Sequence, residues 1–303
     1  MNGSQPYRLS ALLALLGLCL SGCSLIRVQG DATEFQSAGG IARLQTVRSG
    51  DLDGDAFSAT RGKSGYWSPR SFFHELGAEI YMLEDYDPTK TPILFVHGAA
   101  GSPQDWRYFV AHLDRTRYQP WFFYYPSGAP VLAMSELLYQ NLLKIEEKYH
   151  PKSLYITAHS QGGLVVRSTL GVHGASLPWV RLFISISTPW GGERLARLGV
   201  RLSPVVIPSW NDLCPQGPFL KTLFAKPLPP WIDYYLLFSH RGGRGIARPN
   251  NDGTVTLVSL LRPEAQAEAK KILGFDESHT GILSSQDVLA QYNGLLRATA
   301  GGS

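Results

Sequence analysis

Apolar and polar positions fall into two textures along this chain. Residues 24 to about 75 are rich in Gly, Ser, Asp and Arg, with little periodicity. From about residue 76, short apolar runs alternate with amphipathic ones. "AEIYML", "TPILFVHG", "YQPWFFYY", "KSLYITAH", "VRLFISIST", "IDYYLLFSH" and "AKKILGF" have the length and the β-branched or aromatic content of strands buried on one or both faces. Between them, "SPQDWRYFVAHL", "LAMSELLYQNLLKIEEKY" and "GGLVVRSTLGV" carry apolar residues at helical spacing. Ser102 and Pro103 open the first of these helices with a cap residue and a proline at the first helical position. Strand alternating with helix predicts an α/β fold, a mostly parallel sheet with helices on both faces.

Two segments stand outside this rhythm. The stretch 23–75 is expected to be a tether and an irregular N-terminal segment, which leaves 76–303 as the folded domain. Its "DLDGDA" has carboxylates at alternate positions, but Gly62 stands where a calcium loop needs a bidentate glutamate, so a solvated turn is expected. Residues 190–231 are dense in Pro, Trp and Leu, too apolar for a linker and too proline-rich for one long helix. They are expected either to pack on the body as a long loop or to form a cap or lid over an apolar site. In the second case Trp190, Trp210, Phe219 and Leu223 would contact the bound chain.

The N-terminus changes the picture of where the domain works. Arg8 precedes the apolar run "LSALLALLGLCL", and "LSGC" follows at Leu20 to Cys23. This is the order of an export signal. "LSGC" also resembles the lipobox of bacterial lipoproteins. That resemblance implies a signal peptide over 1–22, a diacylglycerol-bearing Cys23 and a bacterial envelope location. Ser24, in place of aspartate, favours the outer membrane. A plain signal peptide or an anchor helix is the alternative. With Cys19 removed and Cys23 lipidated, only Cys214 remains of three cysteines, so no internal disulfide is expected. Net charge is +4 over 303 residues, and the positive charges are scattered, so nucleic acid is not an expected partner.

The chemistry centres on "ITAHSQGGL", residues 156–164. Ser160 stands between a strand and a helix, where a tight turn lifts its Oγ from the sheet beside the helix N-terminus. Ala158 and Gly162 are small enough for such a turn. The usual pattern is G-x-S-x-G, and here alanine replaces the first glycine. "VHGAAGS", residues 96–102, ends a strand in a loop of tiny residues that brings backbone N–H groups close. The oxyanion hole is assigned to Ala99 and Gln161. A serine needs a base, and His279 lies in a loop after the last strand, with His240 as competitor. The orienting acid is assigned to Asp252, in turn-forming "NDG", ahead of Asp233 and Asp276. No His, Cys and carboxylate cluster has ligand spacing, so neither metal nor cofactor is expected.

"ILFVHGAAGSPQDW", "ITAHSQGGLVVR", "ISISTPWGG", "NNDGTV" and "ESHTGIL", in this order, resemble the α/β-hydrolase superfamily. Within it they resemble bacterial lipases and the esterases related to the inositol deacylase that remodels GPI anchors. The resemblance covers about residues 78–290. It implies the α/β-hydrolase fold, the order Ser, Asp, His, and hydrolysis of an acyl ester or lipid. Amide, peptide or thioester hydrolysis on the same triad, and an inactive binding protein of this fold, are the alternatives.

Overall fold

The computed structural model describes residues 47–203, 206–242 and 250–300. The signal segment and Cys23 lie outside the described residues. Strands β1 (Val47–Ser49), β2 (Glu79–Met82), β3 (Thr91–Val96), β4 (Tyr118–Tyr124), β5 (Leu154–His159), β6 (Val180–Ile186), β7 (Asp233–Ser239) and β8 (Lys271–Phe275) form one sheet. Their order is β1-β2-β4-β3-β5-β6-β7-β8, and only the β2–β4 pair is antiparallel. The helices are α1 (Ala59–Trp67), α2 (Pro69–Leu76), α3 (Arg107–Ala111), α4 (Val131–Tyr149), α5 (Gln161–His173), α6 (Arg194–Leu202), α7 (Ser209–Leu213), α8 (Pro218–Thr222), α9 (Leu257–Leu260), α10 (Pro263–Glu268) and α11 (Gln286–Ala300).

The period-two alternation of a strand sorts side chains into two cores. Leu94, Val96, Ile156 and Ala158 join Leu138 and Leu142 of α4 and Leu164 and Val165 of α5. Ile93, Phe95 and Phe122 join Phe109 of α3 and Tyr292 and Leu296 of α11 on the other face. Every residue of β4 and β5 is buried, which is why their sequences read as near-continuous apolar runs, broken only by Gln119, Thr157 and His159. The helix expected from Ser102 is present in two pieces, a 3-10 turn at Pro103–Trp106 and then α3. Ser102 Oγ accepts from Gln104 N and Asp105 Oδ2 accepts from Ser102 N, a reciprocal cap.

The expectation of an irregular N-terminal segment is corrected. From residue 47 the chain belongs to the domain. β1 pairs with β2, and α1 and α2 lie against the sheet's edge and the loops at its carboxyl end. Phe57 and Phe72 are buried against Tyr81 and Tyr124, with edge-on ring contacts of 4.9–5.6 Å. The glycines that hid α1 are contact positions. A Cβ on Gly62 would collide with the carbonyl of Gly101, and one on Gly65 would lie 3.0 Å from the Phe72 ring. Gly65 O also accepts from Gly128 N at 3.0 Å. Glycine lowers helix propensity, so tertiary packing and not local preference makes this helix. The acidic turn before it is a local one, with Asp53 N donating to Asp51 Oδ1 and Asp53 paired to Arg107 at 2.8 Å.

Phe57→Ala tests this correction. A core position should lose about 3–5 kcal/mol in denaturant unfolding. A change below about 0.5 kcal/mol, the usual size for a surface site, would return the segment to a tether.

Candidate active site

β5 ends at His159, and α5 begins at Gln161, so Ser160 alone makes the turn. Its backbone is left-handed, φ +52 and ψ −129. Ser160 N donates to Ile186 O at 2.8 Å, and its O accepts from Gly163 N at 3.0 Å. The surrounding space explains the small residues. A Cβ on Gly162 would lie 2.5 Å from His97 O, one on Gly163 would collide with the Thr188 side chain, and one on Gly98 would lie 2.7 Å from Ser160 Cβ.

The structure brings Ser160, His279 and Asp252 together. His279 Nε2 lies 2.9 Å from Ser160 Oγ, and His279 Nδ1 donates to Asp252 Oδ2 at 2.6 Å. Asp252 is fully buried, and its carboxylate is nonetheless fully bonded. Oδ2 also accepts from Ser239 Oγ at 2.7 Å, and Oδ1 accepts from Val255 N at 2.7 Å and Thr254 N at 3.0 Å. Burial alone would push this carboxyl up. The bond from His279, its charge, and the Val255 and Ser239 donors outweigh burial and hold it below its ordinary value. The competitors lie elsewhere. Asp233, at the start of β7, pairs with Lys270. Asp276 and His240 are exposed and sit together beside Arg241.

Ala99 is exposed at the turn of the loop after β3, and Gln161 is the first residue of α5. Among the described residues neither backbone N–H is engaged in a hydrogen bond. Ser127, in the loop after β4, ties the two segments together. Its Oγ accepts from Ala100 N at 2.9 Å, and its O accepts from Gln161 Nε2 at 2.7 Å. α1 backs the same loop through Gly62.

Other groups escaped the sequence reading. His159 Nε2 donates to His279 O at 2.8 Å, so the histidine beside Ser160 holds the backbone of His279. Burial pushes His159 down to about 3 and His97 down to about 4, so both rings are neutral at neutral pH. Ser187 Oγ and Ser239 Oγ are 2.7 Å apart, extending the chain of bonds behind Asp252 into the sheet. Nothing in the sequence marks Ser127 or Ser187 except their places just after strands β4 and β6.

The segment 190–231 is an excursion of three short helices, α6, α7 and α8. It is pinned to the body: Val131 N donates to Asp212 Oδ2, Ser259 Oγ to Gly192 O, and Arg262 Nη1 to Leu220 O. Trp190 packs on Phe224 and Tyr234 in the core, and Leu223 is buried in the same cluster. Both side chains are buried in the core. Trp210 and Phe219 are half-buried, and Trp210 Nε1 donates to Tyr66 OH at 2.6 Å.

A mostly parallel sheet with a single antiparallel pairing, carrying a serine on a strand-to-helix turn and a buried Asp–His pair behind it, defines the α/β-hydrolase fold. Residues 87–197 match the family model of the PGAP1-like alpha/beta domain. Comparison with curated protein sequences yields no match. Among solved structures, a lipase of Bacillus licheniformis, BlEst2 in mature form, is similar at 22% identity and TM-score 0.56, over 70% of this chain and 94% of that one. Est1E from Butyrivibrio proteoclasticus is similar at 12% identity and TM-score 0.53, over 75% and 96%. A structure from the metagenome-derived lipolytic enzymes LipS and LipT is similar at 14% identity and TM-score 0.52, over 74% and 98%. These likenesses show the fold.

Glu193, which precedes α6, supplies a pH test of the site's surroundings. Burial, with a smaller contribution from the Asp252 charge, pushes its carboxyl up to about 8, and its Oε1 has no hydrogen-bond partner among the described residues. A folded-state value above the unfolded one means that its contribution is full below the unfolded value. It is lost as pH rises through about 8. Glu193→Gln is therefore expected to melt near the wild-type temperature at about pH 5 and above it at about pH 9. Equal melting temperatures at both would show that the carboxyl is not buried uncharged.

Proposed function

We propose that this chain is a serine carboxylic-ester hydrolase held at a bacterial envelope membrane by lipid on Cys23. The observation that carries the proposal is the geometry at Ser160: Oγ 2.9 Å from His279 Nε2, with Nδ1 on a buried carboxylate. In this reading Ser160 Oγ attacks the acyl carbonyl and His279 takes its proton. Asp252 holds the ring in the tautomer that keeps Nε2 free to accept, and balances the imidazolium that forms. The N–H groups of Ala99 and Gln161 receive the charge on the carbonyl oxygen. His279 then gives the proton to the leaving alcohol. Water, activated by the same imidazole, releases the acid and restores Ser160.

The similarity to a lipase and to lipolytic enzymes favours an ester over an amide. The half-buried Trp210 and Phe219 on the excursion supply apolar surface for an acyl chain. The lipobox, with its apolar run and Cys23, supports the anchor.

Hydrolysis of p-nitrophenyl esters of increasing chain length tests the chemistry. Ser160→Ala should lose about 10⁴- to 10⁶-fold in turnover. Asp252→Asn should keep the fold and still fall by orders of magnitude, and Asp276→Asn should be near wild type. Undiminished turnover in Ser160→Ala, or cleavage of peptide and not ester substrates, would overturn the proposal. Mass spectrometry tests the anchor: the mature chain should begin at a diacylglycerol-modified Cys23, and Cys23→Ser should abolish that species. An unmodified mature N-terminus at another residue would rule it out.

A further inference from the structure

Helix α6 is seated in an unusual way. Its sequence is RLARLGVRL, with no acidic residue. Its inner face is small. Ala196 is buried, and a Cβ on Gly199 would lie 2.5 Å from the Trp210 ring. With 3.6 residues per turn, Leu195, Leu198 and Leu202 fall on one stripe, and Arg194, Arg197 and Arg201 on the stripe beside it. Both stripes face outward. The leucines are 70%, 50% and 77% exposed, and all three arginines are exposed. Among the described residues none of these arginines is in an ion pair.

A helix on a soluble domain normally turns its leucines inward. Here they form an outward stripe beside a row of three exposed cations, in a nine-residue helix close to the site. The loop leading to α6 leaves the end of β6 at the same edge of the sheet as Ser160. α9, which bonds to that loop through Ser259 Oγ and Gly192 O, adds the 82% exposed Val258.

We propose that α6 docks the domain on an anionic lipid surface. The leucines enter the boundary between headgroups and acyl chains, and the arginines meet lipid phosphates, which their planar donor forks fit. A second copy of this chain is a poor occupant, because it would set the same positive charges face to face. The inference rests on the proposed function for the reason the surface exists, to bring Ser160 to an acyl substrate in the bilayer, and on α6 alone for the docking. A tether to the same membrane makes even a weak contact persistent by raising its effective concentration.

Hydrogen exchange on full-length Ser160→Ala separates docking from catalysis. The protein is compared alone, with phosphatidylcholine vesicles, and with vesicles containing phosphatidylglycerol. Amides of residues 194–202 should exchange several-fold more slowly on the anionic vesicles than on the neutral ones. The slowing should fade at high salt and in R194Q/R197Q/R201Q. Exchange that is equal on the two vesicles would overturn the proposal. So would slowing that follows protein concentration without vesicles, which would mark a contact between copies, or slowing produced by a soluble acidic peptide and not by vesicles. Slowing on anionic vesicles, beside a wild-type protein inert toward esters, would refute the hydrolase reading and leave the docking intact.

Discussion

The backbone at Ser160 is held at φ +52, a conformation that costs a non-glycine residue on the order of 1–3 kcal/mol. It persists because both sides are fixed: β5 is buried along its whole length, Ser160 N is bonded to Ile186 O of the neighbouring strand, and Gly163 of α5 lies close against Thr188. The turn leaves no room for side chains around it, so Gly98, Gly162 and Gly163 form one device with the serine. The loop after β3 can then approach Ser160. Ala100, itself at φ +56, bends that loop, and Ser127 holds it. α1 closes the stack from outside through Gly62.

Behind the turn stands a second constraint, a carboxylate with no exposure to water. A buried charge is tolerated only where its lone pairs are satisfied, and Asp252 accepts from His279, Ser239, Thr254 and Val255. Ser239 is in turn linked to Ser187, so the acid is tied to the ends of β6 and β7. His279 is gripped at three points: its Nδ1 by Asp252, its N–H by the Asp252 carbonyl and its carbonyl by His159. Held at these points, the His279 ring is aligned on Ser160, with Nε2 2.9 Å from its Oγ.

Much of this was legible in the sequence, for physical reasons. Strands buried on both faces must be near-continuous apolar runs, and β3, β4 and β5 are. The turn needs small residues beside the serine, and Ala158 and Gly162 show it. His279 and Asp252 stand in loops after β8 and β7, the edge where Ser160 emerges. The illegible parts are those whose cause is tertiary. α1 reads as a loop, because Gly62 and Gly65 were chosen for close packing and not for helix stability. Ser127 and His159 act on residues distant in sequence. Trp190 has the composition of a binding wall but is consumed by the core through Phe224 and Tyr234. The outward leucines of α6 are visible as a stripe in the sequence, yet only its seat on Trp210 shows which face is turned outward.

The central claim is that Ser160 is a nucleophile activated by His279. Intact-mass and peptide analysis after treatment with a fluorophosphonate reads it most directly. The account requires one phosphonyl adduct per chain, located at Ser160, and sharply slower formation of that adduct in His279→Ala. An adduct at another residue, or labelling of Ser160 at an unchanged rate without the histidine, would contradict it.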